Sequence, residues 1–325
     1  MSEAEHCTAA ANTMLPVARP FMASQRGKEM RSVSVVIPTV GRPELGRAIA
    51  SALSQQAMPS EILVVADTLA PIDLPDHPLV KLLRVGPGAG GNVARQAGIV
   101  AAKGELIALL DDDDEWLHDH LANQHDIIPQ DPANVHWIAS SRLFAQDAKG
   151  DSEVWPQRLM SASETLPQYI FRKTSLVGGV GFIQASTLLF PRQLALEVPF
   201  DEALKFHQDV SWLVDLSKLD DDIAVYQAPK PSVIYYIGSA TVSRKITASQ
   251  SISWADRLDP ADRRTIGDFV VVHSIQGAKN SGSLIAMIRT LRTGLRIGRP
   301  GGWAIAYAAS LILQTAVAKL LIRIR

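Results

Sequence analysis

Four consecutive carboxylates, Asp111–Asp114, follow the apolar run Leu106–Leu110. This run has the length of a buried strand, and open α/β sheets bind ligands at the carboxyl ends of their strands. Neighbouring carboxylates repel one another, so we expect a positive counter-charge at this place. Their hard oxygen atoms suit Mg²⁺ or Mn²⁺ that arrives with a phosphorylated ligand. For an acidic run considered alone, the alternative is a solvated loop after a core strand.

The segments before the acidic run predict strands that alternate with helices. Apolar runs of strand length and apolar faces at helical spacing follow one another along the first third of the chain. We predict a strand at Val33–Ile37 that Pro38 ends, a helix with Leu45, Ile49, Ala52 and Leu53 on one face, a strand at Glu61–Ala66 followed by Asp67, and a strand at Val80–Val85. A glycine-rich loop, 86–92, then opens a helix that runs to about Ala102. This order indicates an α/β fold around an open parallel sheet.

Four segments together resemble the nucleotide-sugar half of family 2 glycosyltransferases, which are inverting enzymes of the GT-A fold. They are Val33–Thr39, Asp67, Gly91–Gly98 and Ala102–Trp116, in the family's order. The resemblance extends over roughly residues 32 to 243. It implies a Rossmann-like, mostly parallel central sheet flanked by helices. In our prediction a helical C-terminal extension follows this fold.

The resemblance implies a role for each matching position. The donor nucleotide lies at the end of the first strand, a strand-end carboxylate reads the base, usually uracil, and the acidic run supplies the Asp-X-Asp metal motif. The positions are Pro38 and Thr39 for the nucleotide, Asp67 for the base, Arg95 beside the nucleotide, Asp111 and Asp112 for the donor, and Asp113 for direct ligation of Mn²⁺ or Mg²⁺. Asp114 is expected to cap a helix that begins near Glu115 and Trp116.

The resemblance also implies a catalytic base in the second half of the chain. Where the family has Glu-Asp before a helix, this chain has Gln208 and Asp209. In an inverting transfer one base removes the proton of the acceptor hydroxyl, and we predict that Asp209 does so. Asp also favours the N-cap of a helix, which is the alternative for Asp209. We expect His207 to be structural or acceptor-binding, with a role as the base as its alternative.

The end of the chain is basic and amphipathic. No acidic residue follows Asp268, whereas the basic residues there are Lys279, Arg289, Arg292, Arg296, Arg299, Lys319, Arg323 and Arg325. Apolar residues share one helical face next to that of the arginines, namely Leu284, Ile288, Leu291 and Leu295. We expect peripheral contact with a membrane surface. A soluble pair of packed helices and a true span over 303–322 are the alternatives, and nucleic acid is not expected as a partner because the body is acidic.

These observations predict three regions and one reaction. The regions are a disordered N-terminal extension (1–30), a GT-A domain (31–270) with a nucleotide-sugar half (31–117) and an acceptor half (118–270), and a basic helical extension (271–325). The reaction is metal-dependent, inverting transfer of one sugar from a nucleotide-diphospho-sugar, UDP-linked, to a hydroxyl of a saccharide or lipid-linked saccharide in cell-surface polysaccharide synthesis. A nucleotidyltransferase and a catalytically inactive nucleotide-sugar-binding relative are the alternatives. The single cysteine, Cys7, and the lack of a secretory pattern predict the cytoplasm, at the inner face of its membrane.

Overall fold

The computed structural model describes residues 30–219, 223–238 and 246–324, which form nine strands and eleven α-helices. The strands are β1 (Val33–Thr39), β2 (Glu61–Ala66), β3 (Val80–Arg84), β4 (Leu106–Leu109), β5 (Glu115–Trp116), β6 (Trp137–Gln146), β7 (Ser152–Trp155), β8 (Leu189–Pro191) and β9 (Ala224–Tyr236). The helices are α1 (Leu45–Leu53), α2 (Gly91–Ala101), α3 (His120–Ile127), α4 (Leu166–Phe171), α5 (Arg192–Glu197), α6 (Gln208–Leu216), α7 (Ala248–Trp254), α8 (Arg263–Phe269), α9 (Ile275–Asn280), α10 (Leu284–Ile297) and α11 (Gly302–Ile324). The predicted N-terminal extension lies outside the described residues except for Met30.

The described strands form one mixed sheet in the order β3-β2-β1-β4-β8-β6-β9-β5, with β7 paired to β6. The first four strands in this order run parallel, and β4 pairs antiparallel with β8. Every residue of β1, β2 and β4 is buried, because α1 covers one face of these strands and α2 covers the other. The predicted α/β class, with helices around the sheet and a helical C-terminal region, is confirmed.

The sheet register places the carboxyl ends of three strands side by side. Thr39 of β1 pairs with Ala66 of β2. Val36 of β1 pairs with Leu109, the last residue of β4. Asp67 and the acidic run therefore leave the sheet at the same edge, as the sequence predicted.

Pro38 does not end β1, so that part of our prediction was wrong. The strand continues to Thr39, and Pro38 pairs with Val65 of β2. The carbonyl oxygen of Val36 accepts a hydrogen bond from Leu110, on the β4 side of the strand. Backbone groups of residues two apart face the same neighbouring strand, so the nitrogen of Pro38, which carries no hydrogen, also faces β4. Pairing with β4 has ended by that point, and the proline therefore removes no hydrogen bond from the ladder.

The predicted helix at Glu115 and Trp116 is also wrong, because these residues form the short strand β5. Trp116 pairs with Val233 of β9, and its indole Nε1 donates to the carbonyl oxygen of Ser186 at 2.7 Å. The side chain is buried. Burial and cross-strand pairing hold this segment extended, and the helix begins only at His120.

The C-terminal region consists of α8–α11 and a π-helical segment, Val270–Ser274. Over Gly302–Leu321, α11 is long and apolar enough to cross a membrane by length and composition. Only part of the predicted apolar face of α10 contacts the body: Leu284 and Leu291 pack against its buried cluster, whereas Ile288 and Leu295 are exposed. The buried side also carries Gly294, at which an added Cβ would lie 2.4 Å from Val271. Close approach of α10 therefore depends on this small residue as well as on the two leucines.

We predict that Gly98→Ala destabilises the fold by about 1–3 kcal/mol through overpacking between α2 and the sheet. An added Cβ at Gly98 would lie 2.4 Å from Val36 Cγ1 and 3.1 Å from Val65 Cγ2. Gly46→Ala in α1 is the matched control, because no atom lies within 4 Å of its added Cβ; it should stabilise by about 1 kcal/mol. Urea unfolding measures both, and equal effects would contradict this packing.

Candidate functional site

A cavity of about 540 Å³ opens where β1, β2 and β4 end. One wall consists of the loops after these strands and the start of α2. The opposite wall consists of the segment before β8, the loop into α6, and the π-helical segment. All eight predicted site residues line this cavity, namely Pro38, Thr39, Asp67, Arg95, Asp111, Asp112, Asp113 and Asp209. The structure therefore brings together residues that lie up to 171 positions apart in the sequence.

Arg42 binds two carboxylates of the acidic run. Its Nη1 lies 2.6 Å from Asp112 Oδ1 and 3.1 Å from Asp113 Oδ2. Thr39 Oγ1 donates to the other oxygen of Asp112 at 2.5 Å. The turn after β1 thus supplies both a cation and a hydroxyl to the acidic run. Arg42 received no role in the sequence prediction, although it lies in that turn.

Arg95 neutralises the first carboxylate of the run. This arginine is buried in α2, and its Nη2 donates to Asp111 Oδ1 at 2.7 Å. Its Nη1 donates to Gln208 Oε1 at 3.0 Å. Burial works against its charge, but Asp111 and Asp209 outweigh burial and raise the pKa of Arg95. Because Gln208 is neutral, the charge of Arg95 is left to the carboxylates Asp111 and Asp209.

Asp114 is a buried member of a polar network and does not cap a helix, so that prediction was wrong. Its Oδ2 accepts from Ser186 Oγ at 2.6 Å and from Gln184 Nε2 at 2.8 Å. Gln184 also donates to Asp111 at 3.1 Å. The segment before β8 therefore holds the acidic run through hydrogen bonds to Asp111 and Asp114. Burial raises the pKa of Asp114 well above its ordinary value, and repulsion from Asp111 adds to the rise.

Asp67 holds the glycine-rich loop in place. Its two carboxylate oxygens accept from the backbone N–H groups of Ala89 and Gly90, each at 2.7 Å. An added Cβ at Gly86 would lie 1.7 Å from Asp67 Oδ1, so this position requires glycine. Each oxygen keeps a free lone pair for a ligand, and a role in base recognition stays a prediction.

Asp209 lies in the first turn of α6 and faces the cavity. It is the second residue of the helix rather than its N-cap, and its Oδ1 accepts from the N–H of the adjacent Val210 at 2.9 Å. Burial raises the pKa of Asp209, Arg95 opposes the rise, and repulsion from Asp111 adds to it. A carboxylate with a raised pKa is a stronger base.

The N-cap of α6 is His207, whose backbone is left-handed (φ 50°, ψ 36°). Its ring contacts Trp254 and Phe269, and its Nε2 lies 3.2 Å from Ser251 Oγ. Burial lowers the pKa of His207 to about 4. The imidazole is therefore neutral near pH 7 and packed by aromatic rings, which agrees with the structural role expected for it.

The wall beyond Asp209 is aromatic. Phe182, Phe206 and Tyr235 line it together with His273 of the π-helical segment. Burial, with His207 and Lys173 nearby, lowers the pKa of His273 to about 3. Burial likewise raises the pKa of Tyr235, and the carboxylates, Asp114 first, add to the rise. These side chains are uncharged at neutral pH, so this wall suits a sugar ring or another weakly polar group better than an ion.

The residues that line the cavity leave an excess of negative charge. Five of them are carboxylates, namely Asp67, Asp111, Asp112, Asp113 and Asp209, and three are cations, namely Arg42, Arg95 and Lys205. The formal balance is 3 − 5 = −2, which equals the charge of one divalent cation. Among the described residues no three His, Cys, Asp or Glu side chains form a ready metal-binding group. Asp112 and Asp113 offer hard carboxylate oxygens, the kind of ligand that a Mg²⁺-type ion takes one or two of, together with phosphate and water.

Five other residues that line the cavity were assigned no role from the sequence. These are Arg42, Gln184, Lys205, Tyr235 and His273. Only Arg42 carried a local signal, as a basic residue in the turn after a strand that ends at the ligand edge. Gln184 and Lys205 come from loops, Tyr235 from β9 and His273 from the π-helical segment, and their positions at the site depend on the tertiary structure.

Comparisons with known proteins agree with this geometry. Residues 34–183 match the family described as Glycosyl transferase family 2. Amylovoran biosynthesis glycosyltransferase AmsB of Erwinia amylovora is 27% identical over 175 residues, which are 53% of this chain and 55% of that protein. Succinoglycan biosynthesis protein ExoO of Rhizobium meliloti (strain 1021) is 32% identical over 216 residues, which are 61% of this chain and 58% of that protein. The match thus spans little more than half the length of these curated relatives.

A solved structure shares the fold. The crystal structure of S. aureus TarS 1-349 in complex with UDP-GlcNAc superposes with a TM-score of 0.52 over 87% of this chain and 89% of that chain. The two sequences are 14% identical. At that identity the likeness describes the fold alone.

We predict that the stability difference between the wild type and Asp114→Asn depends on pH. Folding raises the pKa of this carboxyl above its unfolded value of about 3.9. Its stabilising contribution is therefore complete below about pH 4 and is lost as the pH rises through the folded pKa. Asn cannot ionise, so the variant should gain on the wild type as the pH rises from about 4 to about 8.

Urea unfolding at several pH values measures this trend. Asp76→Asn in the exposed loop before β3 is the matched control for the substitution itself. A difference between Asp114→Asn and the wild type that stays constant across this pH range would contradict a buried, proton-binding Asp114.

Proposed function

We propose that this chain, which belongs to glycosyltransferase family 2 through its residues 34–183, transfers one sugar from a nucleotide-diphospho-sugar to an acceptor hydroxyl with inversion. The observation that carries the proposal is the meeting of the acidic run, two arginines and Asp209 in one cavity at the strand ends. The family match gives no support to the nucleotidyltransferase alternative. The names of the relatives support a place in exopolysaccharide synthesis.

The donor is proposed to be UDP-linked and to lie along the β1, β2 and β4 edge. Thr39 and Pro38 flank this position, and Asp67 holds the glycine-rich loop beside it. The N-terminus of α2 lies there too, which favours a phosphate group. S. aureus TarS, which shares this fold, crystallised in complex with UDP-GlcNAc, and that complex supports a uridine donor.

A divalent cation, Mg²⁺ or Mn²⁺, is proposed to bind Asp113, with Asp112 beside it. Both carboxylates are held by Arg42, so this guanidinium competes with the cation for their oxygens. Where the cation takes its place, Arg42 would be free to pair with the diphosphate. When bound, the cation neutralises charge on the departing diphosphate.

Asp209 is proposed as the base of a single displacement. Its carboxylate takes the proton of the acceptor hydroxyl, and the hydroxyl oxygen bonds to the anomeric carbon from the face opposite the nucleotide. The bond from that carbon to the diphosphate oxygen breaks, and its electron pair leaves with the diphosphate. Arg95 acts on both the donor side and the base, because it donates a hydrogen bond to Asp111 and its charge limits the rise that burial causes in the pKa of Asp209.

The acceptor is proposed to be a saccharide, free or lipid-linked, that enters along the aromatic wall. Phe182, Phe206 and Tyr235 offer apolar ring surface there, and sugar rings stack on such faces through their C–H groups. The proposed location is the inner face of the cytoplasmic membrane, with peripheral contact through the basic C-terminal helices.

We predict that Asp209→Asn lowers kcat by about 10²- to 10⁴-fold, the usual contribution of a general base. Donor affinity should stay the same, because Asn keeps the shape and the hydrogen bond from Val210. Asp215→Asn is the matched control on the same helix, since Asp215 pairs with Arg257 and does not line the cavity. Release of UDP during transfer measures kcat, and calorimetric titration measures donor affinity.

Equal kcat for Asp209→Asn and the wild type would contradict its role as the base. Donor binding without turnover in the wild type would instead support the catalytically inactive alternative.

We predict that Arg42→Gln binds Mn²⁺ more tightly than the wild type when no donor is present. The substitution removes the cation that pairs with Asp112 and Asp113, and removal of one ion pair of this kind is expected to change affinity about tenfold. The same variant should bind the donor more weakly, because the diphosphate loses a guanidinium partner. Electron paramagnetic resonance of free Mn²⁺ gives the metal affinity directly.

Arg84→Gln is the matched control for loss of one arginine. The Arg84 guanidinium donates to the backbone carbonyls of Thr68 and Ala70 rather than to the acidic run. Unchanged Mn²⁺ affinity in Arg42→Gln would show that the cation binds elsewhere.

A further inference from the structure

The last two helices expose apolar side chains that the described part of the fold does not cover. On α10, Ile288 is 40% and Leu295 49% exposed. On α11, the exposed fractions reach 65% at Leu313 and 59% at Leu320. We call the surface formed by these residues, together with Arg292 and Val317, the outer face. Single exposed apolar residues are ordinary, but several of them on each of two helices that pack together indicate a binding surface.

The packing of α10 fixes its outer face towards solvent. Ile288, Arg292 and Leu295 follow one another at helical spacing on one side of the helix. The opposite side carries Met287 and Gly294, both buried against the π-helical segment and α9. Because the lack of a side chain at Gly294 lets the Val270 and Val271 side chains pack directly against α10, the helix cannot rotate to bury Ile288 and Leu295 without losing this contact.

Helix α11 likewise has one buried side and one exposed side. Its buried residues are Ala304, Ala308 and Leu311, again at helical spacing, and they join the cluster that contains Val271 and Met287. Its exposed residues on the opposite side are Leu313, Val317 and Leu320. Each helix therefore has apolar residues on two sides. Those on the inner side pack against the protein, and those on the outer side have no partner in the described part of the chain.

Positive charge surrounds these apolar residues. The exposed arginines of α10 and of the turn after it are Arg289, Arg292, Arg296 and Arg299. No acidic residue follows Asp268, so nothing in this region of the sequence counters their charge locally. A second copy that docked through the same face would present the same charge and repel the first. A surface that combines arginines with leucine and isoleucine suits the boundary between anionic head groups and acyl chains.

We propose that the outer face binds the surface of a bilayer that contains anionic lipid, and that α11 lies on this bilayer rather than crossing it. A span would separate Ala304, Ala308 and Leu311 from the protein cluster that buries them. It would also break the hydrogen bond that Gln276 Nε2 donates to Tyr307 Oη at 2.7 Å. The inward contacts thus hold the first half of α11 on the protein while its outer residues enter the interface.

The position of the outer face bears on the acceptor, and this step rests on the proposed function. The π-helical segment connects the two sites. Val271 of this segment packs against α10 and α11, and His273, two residues later, lines the aromatic wall of the cavity. The membrane-bound helices are therefore one segment away from the acceptor half of the cavity. This arrangement favours a lipid-linked saccharide in the same bilayer over a soluble acceptor.

Sedimentation of the full chain with vesicles tests the membrane proposal. We expect binding to vesicles of phosphatidylcholine with phosphatidylglycerol, weaker binding to phosphatidylcholine alone, and weakening by salt. The combined variant Arg289→Gln, Arg292→Gln and Arg296→Gln should lose on the order of 100-fold in partitioning onto the anionic vesicles, at roughly fivefold per arginine. The combined variant Leu313→Gln, Val317→Gln and Leu320→Gln should bind both kinds of vesicle more weakly.

Matched controls and a second measurement keep the test independent of catalysis. Lys149→Gln and Leu196→Gln alter exposed residues outside the C-terminal helices and should leave vesicle binding unchanged. All variants should bind the nucleotide-sugar donor like the wild type in the absence of vesicles. Loss of donor binding in the wild type would thus count against the proposed function and leave the membrane result standing.

Three results would overturn the proposal. One is equal vesicle binding by the wild type and by both outer-face variants. Another is self-association of the wild type that the leucine variant abolishes, since the occupant would then be a second copy. The third is resistance of the vesicle-bound protein to extraction at high pH, which is the behaviour of a spanning helix rather than an interfacial one.

Discussion

The site depends on one electrostatic constraint, the neutralisation of the acidic run by arginines. Three carboxylates leave the sheet within one turn of chain, and their repulsion would separate the strand ends without nearby positive charge. Arg42 reaches Asp112 and Asp113 from the turn after β1, and Arg95 reaches Asp111 from α2. Arg42 lies in the turn directly after β1, and the helix that carries Arg95 packs on the same parallel strands. The fold and the charge balance of the cavity are therefore consequences of one arrangement.

The two arginines differ in how firmly they are held. Arg95 is buried and has a second partner in Gln208, whereas the Arg42 side chain is 28% exposed and forms its ion pairs with Asp112 and Asp113. A cation entering the cavity therefore competes with Arg42 more easily than with Arg95. This asymmetry supports a division of the acidic run, with Asp111 fixed by the protein and Asp113 available to the ligand.

Local signals were sufficient for the first half of the fold. The apolar strands and the carboxylates at their ends could be placed because parallel strands end at a common edge, and Asp67 and Asp111 both line the cavity. Asp209 also lines it, but only the family resemblance predicted that residue. The prediction failed where a distant partner decides the local structure. Glu115–Trp116 is a strand because β9 pairs with it, and Asp114 is buried because Gln184 and Ser186 reach it from the segment before β8. Those contacts have no trace in the local sequence.

Thermal unfolding with UDP-GlcNAc, in the presence of Mn²⁺ or of a chelator, tests the central claim most directly. A ligand that binds only the folded state raises its stability by RT ln(1 + [L]/Kd), which is about 2.7 kcal/mol at a hundredfold excess over Kd. If the acidic run holds a cation with the donor diphosphate, the midpoint should rise with donor and Mn²⁺ together and much less with either alone. An equal rise with the chelator, or no rise with any uridine nucleotide, would contradict this assignment of the cavity.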